Sequence, residues 1–380
     1  MQEVPMGMAP LGSMLAPTVD IVIVNWNSGR WLRQCLRALA DARPAACRVA
    51  RVVVVDNASS DASCDGIGGA GADADAFAPP LPPPLPLTIL RNDVNRGFAA
   101  ACNQGAASAS TSASTSASES ASASAPEPEP APAPSASRAD YLLFLNPDTV
   151  PTAEALDGAI GLLQARAAEA VKIAGVWLDN GGGPQTLWLG AFPTARTFML
   201  QAIGRQQRWQ ETVALAPSAS PSPNGGDDPF GAIEVAVVGG AFFVIERSLF
   251  EQLGGFDERF FMYFDELDLC LRARQRGARA MVASRIRIHH QSGASTDRVP
   301  GKRLFYLLRS RLRYARAHFT TPQTAALAVL MCSTEPILRL GRAAIGFGPD
   351  RVRDVLEGYA RFAASLAGFA PENRQSRGPS

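Results

Sequence analysis

The chain has 380 residues and 47% of them are hydrophobic, so it can bury a sizeable core, which excludes a wholly disordered protein. This length allows one large α/β domain with an appendage, or two modest domains. The formal net charge of +1 argues against a partner bound mainly through bulk electrostatics, so we expect no nucleic acid partner.

Strand and helix patterns alternate over the first half of the chain. Continuous β-branched runs are typical of strands that are buried on both faces. Strands separated by helices imply a mostly parallel sheet with helices on both sides. The pattern predicts strands at Val19–Val24, Arg51–Val55, Leu87–Leu90 and Tyr141–Leu145, and helices around Trp31–Leu39, at Phe98–Ala107 and at Thr152–Ala168 with Thr152 as N-cap.

The second half continues with mixed elements. Apolar runs at Val235–Ile245 are joined at a Gly-Gly pair, and a helix is predicted at Glu266–Arg276. Short strands follow at Ala280–Val282 and Ile286–His289. Arg303–Phe319 interleaves arginines with leucines and aromatic residues, which predicts a basic amphipathic helix that either packs on the domain or lies at a membrane surface.

Three segments lack any apolar period and predict solvated insertions within one domain rather than domain boundaries: 66–86, 106–137 and 216–228. We therefore divide the chain into an N-terminal tail (1–18), an α/β domain (19–298) and a helical C-terminal extension (299–380). The six cysteines show no C-x-x-C pair, which favours reduced thiols in the cytoplasm. We expect neither a signal peptide nor a membrane-spanning helix.

Polar residues follow the predicted strands at the point where each strand ends. The carboxyl ends of strands in an open α/β sheet are where ligands bind, although each Asn or Asp alone could equally be a turn former. Their joint occurrence favours a polar ligand pocket. These residues are Asn25, Asn27, Asp56, Asn57, Asn146 and Asp148.

Asp148 and an acidic cluster further along the chain are the candidates for chemistry. A carboxylate at a strand end, next to Pro147, could bind a hard divalent cation, or could be only a turn. Asp265, Glu266 and Asp268 follow an aromatic segment that could raise a carboxylate's pKa and make it a general base. The alternative for this cluster is an acidic helix N-terminus, with Asp268 paired to Arg272 one turn on.

The chain contains three histidines. His289 and His290 close a predicted strand, where one imidazole could complete a metal site or both could simply be exposed polar residues. His318 has no acidic neighbour in the sequence.

Seven motifs in order resemble the GT-A-fold, family-2-like inverting glycosyltransferases, especially the rhamnosyltransferase-like branch. They are VDIVIVNWNSG, VVVVDNASSD, LRNDVNRGFAAACNQG, YLLFLNPDT, VVGGAFFVIER, GGFDERFFMYFDELDLCLR and IHHQSGAST, and they cover about Val19 to Thr296 apart from the insertions. The resemblance implies a GT-A-like α/β fold with a helical C-terminal extension.

The resemblance also implies roles for individual residues. Asn25, Asp56 and Asn57 would hold the nucleoside, while Asn92, Gly97 and Asn103 would support the nucleotide and sugar. Asn146 and Asp148 stand at the D-x-D-like motif, so Asp148 would bind Mg²⁺ or Mn²⁺ with His289 as a second contact. Glu266 occupies the position of the base, with Asp265 beside it in the reverse of the family's usual Glu-Asp order, so the resemblance implies that the base is either Glu266 or Asp265.

The implied activity is transfer of a sugar, with dTDP-rhamnose as first candidate donor, from a nucleotide sugar to a saccharide or lipid-linked acceptor, with inversion. The implied setting is cell-surface polysaccharide synthesis at the cytoplasmic face of the membrane, with peripheral contact through residues 303–319. Two rivals remain: a catalytically inactive binding or scaffold protein derived from a transferase, and a sugar-phosphate nucleotidyltransferase. The first strand is followed by N-W-N-S-G, without the basic phosphate loop of the latter or the G-x-G-x-x-G of a dehydrogenase.

Overall fold

The computed structural model describes residues 16–67, 85–108, 138–180, 184–185, 188–205, 228–291, 299–346 and 349–368. Most of the predicted tail (1–18) and of the predicted insertions (66–86, 106–137 and 216–228) lies outside the described residues.

The strands follow the buried apolar runs of the sequence. In chain order they are β1 (Thr18–Asn25), β2 (Arg48–Asp56), β3 (Leu87–Arg91), β4 (Tyr141–Leu145), β5 (Thr149–Val150), β6 (Val171–Asp179), β7 (Pro184–Gln185), β8 (Trp188–Leu189), β9 (Ala232–Val235), β10 (Val237–Val238), β11 (Phe242–Glu246) and β12 (Arg279–His290).

The helices cover the sheet and then continue as a separate run after it. They are α1 (Arg30–Asp41), α2 (Phe98–Ser108), α3 (Ala153–Ala165), α4 (Ala195–Ala202), α5 (Arg247–Gln252), α6 (Asp265–Gln275), α7 (Pro300–His318), α8 (Thr321–Cys332), α9 (Thr334–Gly346) and α10 (Pro349–Leu366).

The main sheet has the order β3-β2-β1-β4-β11-β6-β12-β5. Strands β3, β2, β1 and β4 are parallel, whereas β11 runs antiparallel to both β4 and β6. The predicted fold class, an α/β domain with a sheet between helices and a helical C-terminal region, is confirmed. The sheet is parallel in the N-terminal half and mixed in the rest, because β11 enters it in the opposite direction.

The sheet order decides where a ligand can bind. From β1 the chain moves outward to β2 and β3, and it then returns to add β4 on the other side of β1. In open α/β sheets, ligands bind at the carboxyl ends of the strands that flank such a reversal. Here those ends are Asn25 of β1 and Leu145 of β4, so the polar residues that follow them lie at the crevice.

The two predicted strands at Ala280–Val282 and Ile286–His289 are one strand, β12. Its register against β6 shifts between Ala283 and Arg287, across Ser284, Arg285 and Ile286, without ending the strand. The strand therefore extends far enough for His290 to pair with Thr149 of β5.

The predicted insertion 106–137 begins later than expected, because α2 continues to Ser108 and buries Ala106. Excising residues 110–136 and rejoining the chain with a short Gly/Ser linker is expected to leave folding intact, since this sequence has no apolar face to pack. The melting temperature and the yield of soluble protein check this. A fall of more than about 5 °C, on the order of 2 kcal/mol for a domain of this size, would mean that the segment packs.

The C-terminal helices share the core of the α/β domain. One hydrophobic cluster contains Phe198 and Phe243 from the domain together with Leu308, Leu327 and Phe362 from α7, α8 and α10. A single core spanning both parts means that the extension folds against the domain. Among the described helices, none is long and apolar enough to cross a membrane.

Helix α7 is the predicted basic amphipathic helix, and its apolar side faces the protein. Leu308, Leu312 and Tyr314 are buried, and the buried Arg311 donates a hydrogen bond to Glu335 of α9. A helix that inserts into a membrane interface needs its apolar face outward. The packing observed is that of a helix belonging to the fold, with Arg303 and Arg316 on its exposed side.

Candidate functional site

The carboxyl ends of β1 and β2 are joined by the side chain of Asn25. Its Nδ2 donates to Asp56 Oδ1 at 3.1 Å and to Ser63 Oγ at 2.8 Å, while Ser28 Oγ donates to its Oδ1. Asn25 is fully buried, so its hydrogen bonds are made within the protein. The amide thus orients the Asp56 carboxylate and cannot itself reach a ligand in this arrangement.

Asn27 shapes the loop that follows β2. It lies in the left-handed region at φ 51°, where Asn is tolerated, and its Oδ1 accepts from the backbone N–H of Ser60 at 2.7 Å. Its own backbone N–H donates to Ser59 Oγ at 3.0 Å. These bonds fix the loops after β1 and β2 against each other around Asp56.

A second group of amides lies at the ends of β2 and β3. Asn57 Nδ2 donates to Asn95 Oδ1 at 2.9 Å and to the Gly97 carbonyl at 3.1 Å, and Asn92 Nδ2 donates to Asn57 Oδ1 at 3.2 Å. Asn92 also exchanges two 2.9 Å hydrogen bonds with Gln104 of α2. The predicted nucleotide-side residues are therefore brought together, and Asn95 and Gln104 are partners that the sequence did not reveal.

Gly97 links this network to the aromatic segment before α6. It has φ +87°, and a Cβ built on it would lie 2.6 Å from the Phe261 carbonyl oxygen, so only glycine fits. The next residue, Phe98, donates its backbone N–H to the same oxygen at 2.7 Å. Further along α2, Asn103 accepts from the backbone N–H of Phe256 and donates to its carbonyl, both at 2.9 Å.

Asp148 lies in the turn between β4 and β5, and its nearest imidazole belongs to His290. His290 Nε2 is 3.3 Å from Asp148 Oδ1 and 3.4 Å from Asn146 Nδ2. Side chains alternate between the faces of a strand, so His289 points away from the face that carries His290. The imidazole that lies beside the Asp148 carboxylate is therefore that of the buried His290, and not that of His289, which the resemblance implies as a second metal contact.

A divalent cation fits these residues only with help from other ligands. Asp148 and His290 converge as one carboxylate and one imidazole, and within the described residues no group of three or more His, Cys, Asp or Glu side chains could hold a metal. Mg²⁺ often keeps several waters and binds through one or two carboxylates together with substrate phosphates. The donor set suits an ion that arrives with a diphosphate.

The two acidic candidates at the start of α6 differ in exposure. Asp265 is buried and Glu266 is half-buried. Burial, reinforced by the neighbouring Glu266 carboxylate, raises the pKa of Asp265 well above its usual range. Asp265 Oδ2 has no hydrogen-bond partner among the described residues. Asp265 is thus placed to hold a proton next to a more accessible Glu266.

Asp268 makes two side-chain contacts, of which one was expected from the sequence and the other was not. Its Oδ2 accepts from Arg272 Nε at 2.7 Å, the pairing expected one helical turn apart. Its Oδ1 lies 2.7 Å from His318 Nε2 at the end of α7, a contact that the sequence could not show. The carboxylate therefore ties α6 to the C-terminal extension.

Comparison with known proteins supports the resemblance drawn from the motifs. Residues 20–113 match the family model "Glycosyl transferase family 2". This segment contains most of β1 and all of β2, β3 and α2, so it includes the hydrogen-bonded Asn and Asp residues from Asn25 to Asn103. The predicted similarity to family-2 glycosyltransferases is confirmed over this segment.

Two curated relatives match a shorter segment. They are the N-acetylglucosaminyl-diphospho-decaprenol L-rhamnosyltransferases of Mycobacterium tuberculosis strains CDC 1551 / Oshkosh and ATCC 25618 / H37Rv, each 36% identical over 70 residues. The match covers 18% of this chain and 23% of each relative, less than a quarter of their length.

Solved structures resemble the chain over most of its length at low sequence identity. S. aureus TarS 1–349 has a TM-score of 0.42 and 12% identity, with coverage of 92% of this chain and 83% of that one. GalNAc-T7 with UDP, GalNAc and Mn²⁺ has a TM-score of 0.46 and 14% identity, with coverage of 72% and 43%.

Proposed function

We propose that this protein is a glycosyltransferase that moves a sugar from a nucleoside-diphosphate sugar to a saccharide or lipid-linked acceptor. The observation that carries the proposal is the hydrogen-bonded polar network at the reversal of the sheet order, with Asp148 and His290 at one strand end. The family-2 match over residues 20–113 supports it, because this segment contains the donor side of the proposed site.

The residues of the proposed donor site are of two kinds: those that would contact the nucleotide sugar, and those that would hold the contacting loop in place. Asp56 and the loop it faces would contact the nucleoside, with Asn25 and Asn27 holding that loop in place. Asn57 and Asn92 would support the nucleotide, and Gly97 and Asn103 the sugar side. These residues act mainly by fixing the crevice, since most of their polar atoms are satisfied within the protein.

Asp148 and His290 would hold Mg²⁺ or Mn²⁺, with Asn146 beside them. When bound, such an ion supplies positive charge that neutralises the departing diphosphate without proton transfer. His290 takes the place that the motifs had suggested for His289, because its ring faces Asp148.

The reaction proposed is a single displacement with inversion. The acceptor hydroxyl oxygen forms a bond to the anomeric carbon as the bond from that carbon to the diphosphate oxygen breaks. Glu266 takes the hydroxyl proton, and the nucleoside diphosphate leaves with the bonding electron pair. Asp265 would keep its own proton, because burial and the neighbouring Glu266 carboxylate raise its pKa well above the usual range.

The first experiment is a screen of purified protein against nucleotide sugars, with and without Mn²⁺, scoring the nucleoside diphosphate released. dTDP-rhamnose is the first candidate donor, because two rhamnosyltransferases match part of the chain. We expect release that depends on both the ion and an acceptor. The proposed pathway is the synthesis of cell-surface polysaccharide.

The screen also separates the rival functions. For this purpose the protein is also assayed with nucleoside triphosphates and sugar phosphates, where release of pyrophosphate would indicate a nucleotidyltransferase. Tight donor binding with no release for any donor or acceptor would indicate a binding or scaffold protein derived from a transferase. Either result would overturn the proposed activity.

Peripheral contact with the cytoplasmic face of the membrane is a further part of the proposal. Because the apolar side of α7 is packed inward, attraction through residues 303–319 would rest on exposed cations such as Arg303 and Arg316. Each cation near an anionic surface contributes about 1 kcal/mol. We therefore expect weak flotation with anionic vesicles at low salt that disappears at high salt. Flotation that is independent of lipid charge, or absent at low salt, would contradict this.

A further inference from the structure

Helix α7 of the C-terminal extension lies directly against the segment that leads into α6. Tyr306 stacks on Phe261 with ring centroids 4.3 Å apart and an interplanar angle of 14°. One turn further along, Ser310 Oγ donates to the Met262 carbonyl at 2.7 Å. Two consecutive residues before the acidic cluster are thus held by the extension.

The next two residues have an unusual backbone. Tyr263 and Phe264 both lie in the left-handed region, at φ 66° and 67°. Bulky residues rarely adopt this conformation, which is strained and persists only when the surroundings impose it. The Phe264 ring packs on Tyr314 of α7 at 5.8 Å and on Phe198 at 5.7 Å. The aromatic side of α7 is therefore part of what imposes this turn.

The turn determines where the carboxylates point. Phe264 is the N-cap of α6, so Asp265 and Glu266 are the first two residues of the helix. The backbone N–H of Asp268 donates to the Phe264 carbonyl at 2.9 Å and closes the first helical turn. Any change in the position of Asp268 is consequently transmitted to the two residues on which the proposed proton transfer depends.

Asp268 is held from both sides. His318 Nε2 lies 2.7 Å from one carboxylate oxygen, and Arg272 Nε donates to the other at 2.7 Å. Arg272 in turn donates to the carbonyls of Leu253 and Gly255, at 2.8 and 3.0 Å. His318 is the only one of these partners contributed by the extension, and Tyr314 packs against its ring at 4.6 Å.

We infer that His318 is a positioning residue for the carboxylates of α6, so that helix α7 completes the proposed catalytic site. This rests on the proposed function for its kinetic consequence, but not for the mechanical coupling between His318 and the first turn of α6. His318 touches neither substrate nor reacting atoms; it acts through Asp268.

The test compares His318→Ala with His318→Gln, whose side-chain amide can still donate to Asp268. Arg361→Ala is the matched control, since the exposed Arg361 also lies in the extension and pairs there with the half-buried Glu357. Hydrogen exchange is followed at the amides of residues 263–268, together with kcat, the KM for donor and acceptor, and the melting temperature.

We expect His318→Ala to speed exchange at the amide of Asp268 and to lower kcat by tenfold or more, with the donor KM changed less than twofold. His318→Gln should restore most of the protection of the Asp268 amide and most of kcat. Arg361→Ala should change neither the exchange at Asp268 nor kcat. If His318→Ala does not fold, Ser310→Ala serves instead and should lower kcat in the same way, because it removes the bond to the Met262 carbonyl.

Unchanged exchange at residues 263–268 in a folded His318→Ala variant would overturn the coupling, whatever the activity of the protein. Faster exchange without a fall in kcat would overturn the positioning role. If the unaltered protein turns over no nucleotide sugar, the proposed function fails by itself, and the exchange measurement still decides whether α7 controls the first turn of α6.

Discussion

Replacing Asp148 with alanine is expected to lower sugar transfer by about a thousandfold or more, because a metal at a leaving group supplies several kcal/mol of charge stabilisation. The fold should survive, since Asp148 lies in a turn between strands and its backbone carbonyl still accepts from the N–H of Gln291 at 3.0 Å. Release of nucleoside diphosphate and Mn²⁺-dependent binding of the donor are the measurements, with the melting temperature as the check on folding.

Two neighbouring histidines provide the matched pair for this prediction. His290→Ala should weaken the Mn²⁺-dependent binding of the donor, whereas His289→Ala should leave it intact. The reason is that, of the two histidines, it is His290 that lies beside the Asp148 carboxylate. The reverse result would restore the assignment suggested by the motifs. Full activity of Asp148→Ala, or of the unaltered protein in excess chelator, would remove the metal from the proposed mechanism.

Much of the N-terminal half could be predicted because its elements carry strong local patterns. β4 has the predicted bounds, and Thr152 caps α3 by accepting the backbone N–H of Ala155 at 3.1 Å. By contrast β6 was not predicted. Its run includes Lys172 and Gly175, two residue types that are depleted in strands, and the partner of the lysine, Glu246 at 2.6 Å, lies on the neighbouring strand β11.

The location of the candidate site could be predicted from the sequence, whereas the contacts between its side chains could not. Polar residues after successive parallel strands must lie at one edge of the sheet, and they do. Which imidazole meets Asp148 depends on the pairing of β12 with β5, where His290 lies opposite Thr149. That register follows from the irregularity in β12 and has no signature in the local sequence.

Contacts between distant segments were the least predictable. His318 and Asp268 are 50 residues apart in the chain, and the residues around each of them in the sequence do not indicate that the two side chains meet. The resemblance implied that Asn25 holds the nucleoside, and the sequence did not show that its side chain is fully buried and donates a hydrogen bond to Asp56. Sequence patterns identify which residues gather, whereas packing decides which of them remain accessible.

Substituting Glu266 with glutamine should reduce kcat by a hundredfold or more, the usual cost of losing a general base, while donor binding changes little. Glu266 is the more accessible carboxylate of the pair, so an acceptor hydroxyl can approach it. Glutamine keeps the size of the side chain and cannot take a proton, so a folding defect is not expected. Steady-state kinetics and donor titration with the unaltered protein as reference check both parts.

Asp265→Asn distinguishes the role of Asp265 from that of Glu266, because burial raises the pKa of Asp265 above its value in the unfolded chain. A carboxyl of this kind favours the folded state at pH values below its unfolded pKa, and that contribution is lost as the pH rises through the raised value. Asparagine does not titrate, so Asp265→Asn should gain melting temperature relative to the unaltered protein as the pH is raised from acid to neutral.

The kinetic effect of Asp265→Asn should be smaller than that of Glu266→Gln, since asparagine keeps an uncharged hydrogen-bonding side chain next to Glu266, as a protonated carboxyl is. If Asp265→Asn is the crippling change and Glu266→Gln is tolerated, the base is Asp265, and the buried carboxylate must become accessible when substrates bind. If both variants keep full activity, the acids at the start of α6 serve only the helix terminus, where negative charge is favourable in any protein.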